Sequence, residues 1–154
     1  MGLRYFFSGI SFLNPFSRYI SGVNEEQEEV EMTVPVLARV KLLAGRMVNK
    51  QMVNRMVNKQ MCFYLNQKHQ ANPPTPTDPA VKIVQNKEFT VYVYTFGGYA
   101  RRDSRREAKR FAEALEKAGE QVDTSLFYTA SYDSPMKFWN RRNEVMYLVP
   151  GNDI

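Results

Sequence analysis

Hydrophobic and polar residues alternate along residues 32–42, MTVPVLARVKL. Val34, Val36, Ala38, Val40 and Leu42 share one parity, while Arg39 and Lys41 fall on the other. A period of two predicts a half-buried strand, and Pro35, which has no amide hydrogen, moves it toward a sheet edge or a bulge. Further strands are predicted at Met61–Leu65, Ala80–Gln85, Phe89–Phe96, Leu126–Ser131 and Glu144–Val149. Asn86 and Lys87 would turn the second and third of these into a hairpin. The run FTVYVYTF at 89–96 carries large residues on both faces, so neither face is expected to be fully solvated.

The period changes to that of a helix over 104–118. Ser104 and Glu107 have the spacing of a capping box, Ala108, Phe111, Ala112, Leu115 and Ala118 keep one stripe, and Gly119 supplies a stop. Arg105 and Arg106 would then crowd the positive end of the helix dipole, a conflict of some tenths of a kcal/mol. A first helix is expected near Phe12–Ser21. Phe12, Leu13, Phe16, Tyr19, Ile20 and Val23 span an arc of about 120° on a helical projection. Two starts are open for it. Asn14 as the cap with Pro15 in the first turn gives a short helix ending at Gly22. A start near Arg4 would instead place Pro15 inside the helix, at a cost of about 3 kcal/mol. Phe6 and Ile10 would widen the apolar arc in that case. So broad a face suits a deeply buried helix, or one whose surplus edge meets a planar ligand.

Two segments fit neither period. MVNKQM occurs at 47–52 and again at 56–61, which reads as a duplication lengthening a loop over 47–61. NPPTPTDP at 72–79 reads as a stiff polyproline-like connector. The organisation expected is an apolar N-terminal segment at 1–13, one domain over 14–149, and a tail at 150–154.

Composition narrows the chemistry. The 154 residues include one cysteine, Cys62, and one histidine, His69. An internal disulfide, a cysteine-based zinc site and a histidine cluster are therefore excluded, and enzymatic activity is the function class least supported. The cysteine usage suits the cytoplasm. Residues 1–13 have some features of a signal or targeting segment, mitochondrial association included, but are too short to span a bilayer. The net charge is +5 and unevenly placed. Acidic residues concentrate at 25–31, and basic ones at Arg101, Arg102, Arg105, Arg106, Lys109 and Arg110. Runs of this kind are expected on solvated faces. The basic cluster, beside Phe96 and Tyr99, offers weak nonspecific binding to an anionic surface. Glu113, Glu116 and Glu120 dilute it and argue against nucleic acid. Glu144 near Tyr147 is a candidate carboxylate–phenol pair, or a carboxylate balancing Arg141 or Arg142.

Six strings in order carry a resemblance. They are FSRYISGVN at 16–24, MTVPV at 32–36, NPPTPTD at 72–78, VYV at 91–93 with FGGY at 96–99, YDSPMK at 132–137, and RRNEV at 141–145. Together they resemble the SOUL family of heme-binding proteins. The resemblance implies an α+β fold, a distorted antiparallel β-barrel with two flanking helices. Relatives carry opening strands before the first helix, so this chain reads as N-terminally truncated, with an open sheet edge that a partner protein would cover.

The resemblance also implies a tetrapyrrole ligand, heme or protoporphyrin, sequestered or carried in a shallow apolar groove beside the first helix. Leu13 matches a pocket-lining position, with Phe16, Ser17 and Ile20 along the same helix. Arg18 matches a flanking lysine, and Lys137 the lysine of the family's Pro-Met-Lys string on the groove's other side. Both cations suit propionates through charge-assisted hydrogen bonds. His69 lies in a polar context far along the chain and reads as an ordinary exposed histidine rather than an axial ligand. Cys62, between Met61 and Phe63, reads as a small packed hydrophobe. Binding without firm axial ligation is the expectation.

Overall fold

A computed structural model of the chain describes residues 4–8, 13–48, 51–85 and 88–151; for 4–8, 13–14, 43–48, 51–58 and 101 it describes the backbone. The elements run β1 (Arg4–Ser8), α1 (Leu13–Ile20), β2 (Val36–Val48), β3 (Gln51–Tyr64), a 3-10 turn (Gln67–His69), β4 (Val81–Gln85), β5 (Val91–Phe96), α2 (Ala100–Lys117), β6 (Leu126–Ser131) and β7 (Asn143–Leu148). The strands form one antiparallel sheet in the order β4-β1-β3-β2-β6-β7-β5, curved and unclosed, with β4 and β5 at its ends. This is the α+β, distorted-barrel architecture with two helices.

Several expectations are corrected. Ala80–Gln85 and Phe89–Phe96 do not form a hairpin: β4 pairs with β1, β5 pairs with β7, and the two stand at opposite ends of the sheet. The apolar segment before α1 supplies the missing neighbour, with Phe6 opposite both Phe63 and Ile83. Residues 4–8 are thus strand, not an extension of the first helix. The duplicated string, apart from residues 49–50, which lie outside the described residues, is not a loop either. Arg46 faces Val53 and Met47 faces Met52 in a long β2–β3 hairpin, with register shifts at Lys41/Leu42 and Leu43/Arg46. An irregular pattern is tolerated there because bulges repeatedly reset which face a side chain takes. Asn86 and Lys87 lie outside the described residues. Pro35 sits just before β2, outside the ladder, so β2 is an interior strand between β3 and β6.

Helix α2 begins at Ala100, four residues before the expected cap. Tyr99 is its N-cap, without a side-chain bond, and Asp103 lies in the first turn, where a carboxylate complements the dipole. Arg105 and Arg106 are therefore in the second turn, which removes the expected conflict. Glu107 is buried and pairs with Arg106 and Arg110 instead of closing a capping box.

Alternation across the ladder divides the core. Val36 on β2 packs with Phe16, Tyr19, Val30, Phe63, Leu65 and Val81 under α1. Val40, two pleats along, packs with Phe96, Ala108, Leu115, Phe127, Val145 and Tyr147 under α2. Both helices thus cover one face. Leu37 points the other way, where it meets Cys62 and Ala130, with Tyr64, Tyr132 and Met146 beside them.

Candidate functional site

Helix α1 has eight residues, too few to be stable alone, so its position depends on what it packs against. Phe16 stacks on Phe63 with ring centroids 4.0 Å apart, and Tyr19 donates a 2.6 Å hydrogen bond to the Pro74 carbonyl. Burial pushes the Tyr19 phenol well above its ordinary pKa, so it stays a donor. Asn24 donates to the Tyr19 and Glu28 carbonyls and accepts from the Glu28 amide. Gly22, at φ 90°, makes the reversal that a side chain would strain. The residues after α1 are thereby locked against the proline-rich connector.

The acidic run completes that lock. Glu26 accepts from the Thr75 amide at 2.7 Å and its hydroxyl at 2.9 Å, and these bonds hold its pKa below the ordinary range. Glu28 pairs with Lys68 and lies 3.2 Å from His69 Nε2. Part of the run is thus structural, not simply solvated. His69 is corrected as well: it is buried, its Nδ1 2.7 Å from Asn66 Oδ1. Its Nε2, though 3.2 Å from Glu28 Oε1, makes no hydrogen bond among the described residues. Among the described residues no group of three or more His, Cys, Asp or Glu could hold a metal ion. Cys62 is buried, and burial pushes its thiol up to about 12.

Between α1 and the proline-rich connector lies an open groove of about 290 Å³, lined by Pro15, Arg18, Val23, Thr77, Asp78 and Pro79. Arg18 and Ser17 are on the solvent side of α1, and Phe16 and Ile20 on the core side. Among the described residues Arg18 has no ion pair. Leu13 begins the helix; its side chain lies outside the description. Lys137 is not among these lining residues; it lies in the β6–β7 connection, and its ammonium is 2.6 Å from Asp133 Oδ1. The structure therefore brings Arg18 to the groove and ties Lys137 into its own loop. Sequence reading placed Val23 in the apolar arc and 72–79 in a connector without joining them. Tyr19, whose hydroxyl meets Pro74, was the available signal.

The groove is at the small end of ligand pockets and too open to enclose a large ring. Its apolar prolines and Val23 fit contact along one edge or face, and Arg18 fits a carboxylate.

A carboxylate–phenol pair exists, with a different phenol. Tyr132 donates at 2.8 Å to Glu144, which also accepts from Arg142 at 2.7 Å. Tyr147 instead donates to the Ala108 carbonyl at 3.0 Å. Positions three apart on a strand point to opposite faces, so Glu144 cannot meet Tyr147. Burial first, and Glu144 second, push the Tyr132 phenol up to about 12.

No helix among the described residues is long and apolar enough to cross a membrane. In fold the chain is similar to a solved hydrolase from Listeria innocua, with a TM-score of 0.55 and 11% identity over 96% of this chain and 87% of that one. At that identity the likeness is one of fold alone. In sequence it is similar to Heme-binding protein 2 of Homo sapiens, 32% identical over 88% of this chain and 62% of that protein. Heme-binding protein 1 of Bos taurus is 33% identical over 88% of this chain and 67% of that protein. The mouse Heme-binding protein 1 is 35% identical over 83% of this chain and 64% of that protein. The chain thus spans about two thirds of these relatives' length. The family model described as SOUL heme-binding protein matches residues 9–148, nearly the whole described fold, and the chain belongs to that family.

Proposed function

We propose that the protein binds a tetrapyrrole, heme or protoporphyrin, and sequesters or carries it without firm axial ligation. The observation that carries this reading is the family match over residues 9–148. The groove beside α1 supports it locally. Pro15 and Val23 offer apolar contact, Ser17 and Arg18 face solvent next to it, and Arg18 is the cation available to a propionate. Leu13 begins the same helix, while Phe16 and Ile20 hold it to the sheet. Lys137 would serve a second propionate only by exchanging its bond to Asp133. Bound heme would supply the iron; the residues described here would bind the ring and its carboxylates.

Titration with hemin and with metal-free protoporphyrin tests the proposal. A saturable Soret change with hemin and a saturable fluorescence change with protoporphyrin, at similar affinity, are expected. His69→Ala should leave the hemin spectrum unaltered. Arg18→Glu should weaken both ligands roughly tenfold, the worth of one charge-assisted hydrogen bond. No saturable response to either ligand would sink the proposal.

A second role rests on the sheet edge. Strand β5 ends the sheet and carries exposed Val93 and Tyr94, which suits pairing with a partner's strand.

A further inference from the structure

The β6–β7 connection carries three large apolar side chains facing solvent: Met136, Phe138 and Trp139 are 76%, 69% and 74% exposed. The loop that presents them is firmly tied. The Arg141 guanidinium donates to the Ser134 and Lys137 carbonyls at 2.7 Å each, reaches the Gly98 carbonyl at 3.2 Å, and lies 4.5 Å from the centroid of the Tyr99 ring. Asp133 accepts from the Lys137 ammonium and the Arg142 amide, both at 2.6 Å. Asn140, at φ 47°, turns the chain in the left-handed region that asparagine tolerates. The tip is thus ordered before anything docks on it, which lowers the entropic cost of docking.

The bonds from Arg141 also fasten the tip to Gly98 and Tyr99, which lead into α2. Charge there is layered. The side chains of Arg102 and Arg106 are 78% and 61% exposed, whereas those of their partners Asp103 and Glu107 are at most 7% exposed. Formal pairing nearly cancels, yet the positive ends face out and the negative ends lie beneath. An apolar, aromatic tip beside outward cations complements a surface that is hydrocarbon within and anionic at its rim.

We propose that the Met136–Trp139 tip docks this protein on an anionic lipid bilayer. Phe138 and Trp139 enter the boundary between headgroups and acyl chains, and Arg102 and Arg106 face the lipid phosphates. The proposal does not depend on tetrapyrrole binding, and its test uses ligand-free protein.

Trp139 is the chain's one tryptophan, so tryptophan emission reports the tip alone. Vesicles of phosphatidylcholine with phosphatidylserine should shift that emission to the blue, and brominated acyl chains should quench it. Pure phosphatidylcholine should act weakly, and added salt should weaken the response. The M136S/F138S variant keeps the reporter and should bind roughly tenfold more weakly or worse. The R102Q/R106Q variant, which removes both charges without setting new carboxylates beside the buried Asp103 and Glu107, should lose the preference for phosphatidylserine. Emission unmoved by the anionic vesicles would overturn the proposal. A blue shift that grows with protein concentration in the absence of lipid would overturn it too, by assigning the tip to a second copy of the chain.

Discussion

The two helices cover the same face of the sheet and are held there by different means. Helix α2 has eighteen residues and rests on a long apolar stripe, from Ala108 to Leu115, over Phe127, Val145 and Tyr147. Its hydrogen bonds are largely its own. Helix α1 has eight, and is held as much by polar bonds from its flanking segments as by Phe16 and Tyr19. A long helix can close its side of a core by itself. A short one needs loops to finish the job, and where helix and loop meet imperfectly a groove remains. That is why the candidate ligand site lies beside α1.

The largest effects should come from the two aromatic anchors. Phe16→Ala and Phe127→Ala should each destabilise the fold by about 3–5 kcal/mol in urea unfolding. Phe16→Ala should also leave the segment around 66–79 open to limited proteolysis under native conditions, and Phe127→Ala should not. Equal protection in both variants would break the contrast.

Next come the two buried phenols. Tyr19→Phe leaves the Pro74 carbonyl without its donor, whereas Tyr147→Phe removes from the Ala108 carbonyl a donor additional to the bond it keeps within α2. Each should cost about 1–2 kcal/mol. Hydrogen exchange should rise across the proline-rich connector in the first variant. In the second it should stay near the global rate, because the helix keeps its own ladder.

The smallest effect is electrostatic. The Thr75 amide and hydroxyl depress the pKa of Glu26, and the Lys68 ammonium, with His69, that of Glu28. Their contribution is present above the ordinary carboxylate range and is lost as pH falls through the lowered folded values. Proteolysis at 66–79 should therefore rise as the pH falls below the ordinary carboxylate range, before global unfolding. Glu26→Gln should show part of that rise already at neutral pH. On the other side Asp103 is depressed in the same direction, chiefly by Arg102, but α2 has its apolar stripe to keep it in place.

Much of this was legible in one dimension. Leu126–Ser131 matched β6 residue for residue, because a short run with aromatic and β-branched residues, ahead of the turn-forming Asp133, Ser134 and Pro135, leaves few alternatives. The α2 stripe was visible from Ala108 to Leu115, although its start was not. Ser104 and Glu107 imitate a capping box, but Ala100–Asp103 have no signal against helix, and the carboxylate of Asp103 suits a first turn. Pairing partners were far less visible. The residues of β4 and β5 are neighbours along the chain and distant across the sheet, since β1 competes for β4 and β7 for β5. His69 read as exposed because its neighbours are polar. Its burial follows from Asn66 and Glu28, the latter brought from a distant part of the chain.

The sequence by itself determined the fold class, the two helices, most strands and, through six ordered strings, the family. Local periodicity and ordered motifs suffice for those. The tertiary structure alone decided which cations are spoken for. Lys137 meets Asp133 and Arg142 meets Glu144, while Arg18 remains beside the groove. It alone set Met136, Phe138 and Trp139 together on a fastened tip. Exposure and pairing depend on what folds back over a residue, and a chain read in order does not contain that.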